Sequence, residues 1–245
     1  ILTSFKSQID IFQVPFKVFF IPTMVNYSKA FSSGEFFAYF INTVIISAIS
    51  SVISVGFGVL AAYGLVKFNL KSSGLISNIF LIGKLVPSIT ILIPLFAIIT
   101  KVGLLGTYIG PILAHVAINL PFVVWLMISF IKDIPDDLSA SSLIDGCTKM
   151  QTFWKIIFPI LTPAIASAAI LSMQLSWNEF IFSLQLTNLN TSTLPVGIAK
   201  FVGSVSVDWG KSCAAATFTM VPIIIAGFFV QRYIVTGMTM GSVKG

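Results

Sequence analysis

The stretch EFFAYFINTVIISAISSVISVGFGVLAAYGLVK, from Glu35 to Lys67, carries no charged residue between its two ends. A helix needs about 20 mainly apolar residues to cross the hydrocarbon core of a bilayer, and this run exceeds that length. It is also rich in small residues (Ser47, Ala48, Ser51, Ser54, Gly56, Gly58 and Ala61), which let helix backbones approach closely inside a membrane. The stretch therefore predicts a membrane-spanning helix packed against other helices.

The composition of the whole chain agrees. Of 245 residues, 56% are hydrophobic and 9% are charged, and the mean hydropathy is +1.01; soluble domains carry roughly 25% charged residues. A water-soluble fold is excluded. The net charge of +6 comes from Lys and Arg scattered singly between apolar runs. That pattern fits cations at lipid headgroups and gives no nucleic-acid footprint. Cys147 and Cys213 have no metal-ligand spacing and are expected to be free thiols.

Four further apolar stretches follow: Leu75 to Thr100 with Lys84, Pro87 and Pro94; Val102 to Ile131 with Pro111 and Pro121; Ile156 to Leu186 with Pro159 and Pro163; and Ser212 to Gln231. The prolines predict bends, because each removes a helical hydrogen bond whose freed carbonyl must find protein or water. Residues 1–35 are too polar to span and are expected to lie along the membrane surface. Asn188 to Thr193 reads as a water-facing connector. Neither repeats nor low-complexity segments occur, so residues 1–245 are read as one all-α polytopic transmembrane helical bundle with five visible spans.

Cations alternate between richer loops (Lys67 and Lys71; Lys132, Lys149 and Lys155; Arg232 and Lys244) and poorer ones (Lys101; Lys200 and Lys211). The positive-inside tendency puts the 132–155 loop in the cytoplasm. That loop also holds Asp133, Asp136, Asp137 and Asp145, half of the eight acidic residues.

Within and after this loop, LSASSLIDGCTKMQTFWKIIFPILTP, Leu138 to Pro163, resembles the EAA loop of permease subunits in binding-protein-dependent ABC importers, especially the maltose-type carbohydrate branch. The family pattern of an Ala-Ala pair, a glycine four residues on, an isoleucine ten later and a proline three beyond becomes Gly146, Ile156 and Pro159 here. Asp145 also fits. The head of the motif departs from the family: its Glu-Ala-Ala reads Ala140, Ser141, Ser142, so the acidic contact to the ATPase is lost, with Asp137 nearby. Phe40-Ile41-Asn42-Thr43, Pro121-Phe122, Trp177-Asn178-Glu179-Phe180, Thr193-Leu194-Pro195-Val196-Gly197 and the tail from Gln231 to Gly245 carry the resemblance along the chain.

The resemblance implies a permease that pairs with a second permease and two cytoplasmic ABC ATPase subunits. It would receive a sugar-like solute from an extracytoplasmic solute-binding protein and sit in the bacterial or archaeal cytoplasmic membrane with its C-terminus in the cytoplasm. It further implies a sixth, N-terminal span beyond the five seen. The 132–155 loop would act as a coupling element, with Asp145 and Gly146 opening a short helix that a moving ATPase pushes. The chain itself would be no enzyme and would hold no cofactor. Gly83-Lys84 is followed by Leu85 and lacks the spaced glycine of a phosphate loop, so ATP and Mg are assigned to the partner ATPases.

Six polar residues in the spans are candidates for the translocation path: Lys84, Asn119, Gln174, Trp177, Asn178 and Glu179. A charge such as Lys84 costs about 2.5–3.5 kcal/mol on insertion scales; it either snorkels to headgroups or faces a wet pathway. Trp177, Asn178 and Glu179 combine a stacking face with donors and acceptors, as sugar recognition requires, or form an interfacial belt. His115 is expected to serve packing. The alternative function is an ion-coupled secondary transporter, which needs intramembrane acids; Glu179 is the one candidate.

Overall fold

Prolines and interspersed charges keep the first 34 residues from forming a long helix. They form a 3-10 turn at Leu2–Phe5, α1 (Gln8–Phe12) and α2 (Val25–Ser32). The computed structural model describes the backbone of residues 1–32, 34–68, 71–201 and 208–240, with side chains to residue 228 in the last helix. The segment, expected along the membrane surface, folds onto the start of that last helix. Asn26 Nδ2 donates to the carbonyls of Ser4 and Lys6 at 2.9 and 2.8 Å and lies against Gly210, where a Cβ would collide with its amide. Lys6 is fully buried, donating to the Lys17 carbonyl at 2.6 Å beneath the Phe16 ring.

The charge-free stretch forms α3 (Glu35–Lys67), a 33-residue helix about 50 Å long at 1.5 Å per residue. α4 (Ser73–Leu85) and α5 (Ser88–Lys101) follow and meet at 96°. The expected single bent span is thus two helices. The Pro87 ring holds Val86 extended, with ψ 125°, as a residue before proline prefers, and it offers no N–H to continue α4. α6 (Ile109–Lys132) starts later than expected because Gly103 and Gly106 take φ of +73° and +76° in the loop before it. Pro111 falls in its first turn, where the missing N–H costs nothing.

The charged loop holds α7 (Asp136–Ile144) and α8 (Lys149–Thr152), which runs through a π turn at Phe153–Ile157 into α9 (Phe158–Trp177). Pro159 cannot donate to the turn before it, and the widened π turn accommodates its ring. α9 stops at Trp177, short of the expected Leu186; α10 (Ile181–Leu186) and α11 (Leu194–Lys200) are separate, and α12 (Trp209–Met240) closes the described chain. Among the described residues four helical runs are long and apolar enough to span, namely α3, α6, α8 with α9, and α12, and the number is five if the bent α4–α5 pair counts as one span. The polytopic all-helical bundle is therefore borne out among the described residues.

α3 is the central post. Val55, Val59 and Ala62 pack on Val123, Val124, Met127 and Ile131 of α6 and on Leu161, Ala164 and Ala168 of α9. The small residues serve this contact: a Cβ at Gly58 would come within 2.5 Å of Val123 Cγ1, while Ser51 donates to the Ala169 carbonyl at 2.8 Å. At the end where α3 starts, Asn42 Nδ2 donates to the carbonyls of Asn190 and Ser192, both at 2.9 Å. The Thr43 hydroxyl accepts from Leu194 N–H at 2.7 Å. Thr191, Ser192 and Thr193 are consequently buried, so only part of the 188–193 connector meets water.

Candidate functional site

Two regions bring the polar candidates together: the α7–α8 loop at one end of the bundle, and the polar residues in and beside the spans.

In the loop, Asp145 and Gly146 do not open a helix; they close α7. Gly146 has φ +84°, its N–H donates to Leu143 and that of Cys147 to Ser142, a Schellman stop that only a left-handed residue completes. α8 is opened instead by Thr148, in a reciprocal capping box with Gln151. Ser142, at the third position of the motif head, is buried and bonds to Thr152 Oγ1 at 2.8 Å. This pair pins α7 to α8, while Ser141 turns back onto the Asp137 carbonyl at 2.8 Å.

The hairpin is tied to α3. Tyr63 donates to the Lys149 carbonyl at 3.0 Å and its ring lies 4.8 Å from that of buried Phe153. Lys67 Nζ bonds to Asp136 Oδ1 at 2.6 Å and holds that carboxyl below its usual value. Ile156 sits half-buried in the π turn against the core, and Pro159 follows in the first turn of α9. The other side of the hairpin is bare: Asp137, Ala140, Asp145 and Gly146 are exposed, as are Leu143, Ile144 and Met150, with Ile144 at 86%.

The intramembrane candidates divide. Trp177 is buried between Phe36, Tyr39 and Leu194, with the Phe40 ring edge-on at 5.8 Å. Asn119 is buried and donates to the Ser172 carbonyl at 3.3 Å. Glu179 turns inward: its carboxylate accepts from the Phe182 and Ser183 N–H groups, each at 2.9 Å, and so caps α10. Gln174, Asn178 and Lys84 remain exposed, with the Lys84 Nζ 4.2 Å from the Phe122 ring centre.

One polar group was missed in the sequence. His115 does more than pack: one ring nitrogen bonds to Ser176, and the other lies 3.2 Å from both Glu179 Oε2 and Ser183 Oγ. Ser176 continues to Ser50 on α3 at 2.9 Å, so one buried chain links α3, α6, α9 and α10. These partners lie 61 to 68 residues beyond His115, so no local spacing announces them.

Comparison with known proteins gives the same fold and names a family. A TM-score of 0.79 at 22% identity, over 95% of this chain and 87% of the other, relates it to a chain of the crystal structure of a bacterial ABC transporter involved in the import of the acidic polysaccharide alginate. The chain is 35% identical over 228 residues to the trehalose/maltose transport system permease protein MalG of Thermococcus litoralis, covering 91% of this chain and 82% of that protein. It is 32% identical to the sulfoquinovosyl glycerol transport system permease protein SmoH of Agrobacterium fabrum over 100% of this chain and 87% of that one. Residues 54–240, about three quarters of the chain, match the family described as "Binding-protein-dependent transport system inner membrane component". The chain belongs to the family of inner-membrane components of binding-protein-dependent transport systems.

Proposed function

We propose that this chain is one of two permease subunits of an ATP-driven importer for a sugar or sugar-like solute. It works with a sister permease, two ATPases that hold ATP and Mg, and an extracytoplasmic binding protein. The names of its relatives, a trehalose/maltose and a sulfoquinovosyl glycerol permease, support the cargo class. The α7–α8 hairpin carries the reading: it is braced to α3 on one side and presents Leu143, Ile144 and Met150 bare on the other.

An apolar tip without a partner among the described residues fits a groove on a moving subunit. Seated there, the hairpin faces the cytoplasm, as does the C-terminal end of α12. Closure of the ATPases then pushes α7 and α8, and the Tyr63 and Lys67 contacts pass the displacement to α3 as a rigid-body motion. No bond of the solute is made or broken. Among the exposed polar residues, Lys84, Gln174 and Asn178 face the path. Asn119, Trp177 and Glu179 border it from within the chain.

Replacing Gly146 tests the hairpin. No atom stands within 4 Å of a Cβ built there, so Gly146→Val strains only the left-handed turn, by about 1–2 kcal/mol. In the reconstituted importer with loaded binding protein, G146V is expected to keep ATP hydrolysis but lose uptake per ATP. Normal coupled uptake refutes the role assigned to this turn. Recovery of the wild-type chain without ATPases or a sister permease would remove the importer reading itself.

A further inference from the structure

Lys84 lies at a depth that decides between its two readings. Gly83 stands against Pro121, and the Lys84 ammonium lies 4.2 Å from the Phe122 ring centre and 5.2 Å from that of Trp125. Phe122 is near the middle of α6 (Ile109–Lys132), roughly 20 Å from its start and 15 Å from its end at 1.5 Å per residue. Beside Phe122 and Trp125 the ammonium lies roughly 10–15 Å from the nearer end of α6 at 1.5 Å per residue, within the apolar length of that helix, which favours a wet pathway over the headgroups.

Nor do the described residues neutralise it. Of the eight carboxylates, Asp133, Asp136, Asp137 and Asp145 sit at the α7–α8 end, Glu35, Glu179 and Asp208 at the other, and Asp10 in the N-terminal segment. None pairs with Lys84. Phe122 and Trp125 stabilise the cation through their ring faces, and Trp125 keeps 42% of its surface exposed.

The backbone next to Lys84 points to water as well. α4 ends at Leu85, and Val86, Pro87 and Ser88 are exposed. The last carbonyls of α4 have no following helical N–H. Such a break is tolerated at membrane depth only against protein or beside a water-filled cavity.

We propose that Lys84, with Phe122 and Trp125, forms a subsite of the translocation path that takes the negative charge of an acidic saccharide. The ammonium pairs with the anionic group, and the exposed indole face stacks on the sugar ring. This rests on the sugar-import reading and narrows the cargo from sugars in general to those bearing a carboxylate or another anionic group.

The test begins with the binding protein that stimulates the assembled importer, whose bound solute is released and identified by mass spectrometry. Uptake of that solute is then measured in proteoliposomes containing the whole complex with wild-type chain, Lys84→Met or Lys84→Arg. The expected solute is an anionic saccharide. K84M should lower its uptake by about tenfold or more, the loss of one charge-assisted contact, with K84R close to wild type and subunit recovery unchanged.

A neutral saccharide, or wild-type uptake by K84M, overturns the charge assignment and leaves sugar import standing. Loss of the sister permease from the K84M complex overturns it too, by showing that Lys84 pairs with that subunit. A solute that is no saccharide removes the sugar reading and this subsite together.

Discussion

His115 shows how one side chain holds several helices in a membrane protein. It is completely enclosed, and each ring nitrogen has a hydroxyl or carboxylate neighbour: Ser176 on one side, Glu179 and Ser183 on the other. Removing the imidazole takes one partner from the Ser176 hydroxyl, which keeps Ser50, and one from Glu179 Oε2, which keeps Ser183, a loss of about 1–3 kcal/mol. His115→Ala should therefore lower the thermal midpoint of the detergent-solubilised complex. Glu179→Gln should lower it as well, and the double variant by less than the sum of the two, because the residues share one network. Strict additivity in unfolding scans would show that they act separately. The sequence displayed Ser176, Glu179 and Ser183 on one short stretch, but His115 stands on another span, and their encounter depends on the α6–α9 contact.

At the scale of elements, the α3–α6 contact depends on the absence of side chains. A Cβ at Gly58 would meet Val123 within 2.5 Å, and the Val124 backbone lies 3.5 Å away. Gly58→Leu should separate the two helices at mid-span, an overpacking that costs about 1–3 kcal/mol. Gly56→Leu, with nothing within 4 Å of its Cβ, is the control on the same helix. Equal thermal stability of G58L and G56L in detergent would contradict the close approach. The small-residue stretch that predicts helix packing includes both glycines, yet a stripe of small residues does not tell which of them faces a neighbour. The proline reading has the same limit. Pro87 announces an interruption by its chemistry alone, but the 96° between α4 and α5 is set by packing of α4 on α6 and of α5 on α10.

For the whole molecule, the proposed assembly turns on the exposed tip of the α7–α8 hairpin. Ile144 is 86% exposed and contributes nothing to this chain's interior, so Ile144→Asp should leave the fold of the chain unchanged. If the tip docks on the ATPases, the charge must be desolvated at that interface, and the ATPase subunits should be lost on mild detergent extraction while the sister permease stays bound. Retention of the ATPases by I144D, at wild-type stoichiometry on size-exclusion chromatography, would place the docking surface elsewhere. The altered motif head is compatible with docking of this kind. Ser142 secures the hairpin from inside through Thr152, so its rigidity does not rest on an acidic residue at position 140.

The sequence by itself determined that the chain is a helical membrane protein, because length and hydropathy answer to the bilayer and not to neighbouring residues. It also displayed the loop proposed here to couple to the ATPases, since the order of Asp145, Gly146, Ile156 and Pro159 is a local pattern. Only the tertiary structure decided where the helices end at Leu85, Trp177 and Leu186. It alone showed that Glu179 is turned inward to His115 while Lys84, with no ion pair among the described residues, stands beside Phe122 and Trp125. The polarity of a side chain is written in its residue type. Whether that polarity is answered within the chain depends on which helices come to lie side by side.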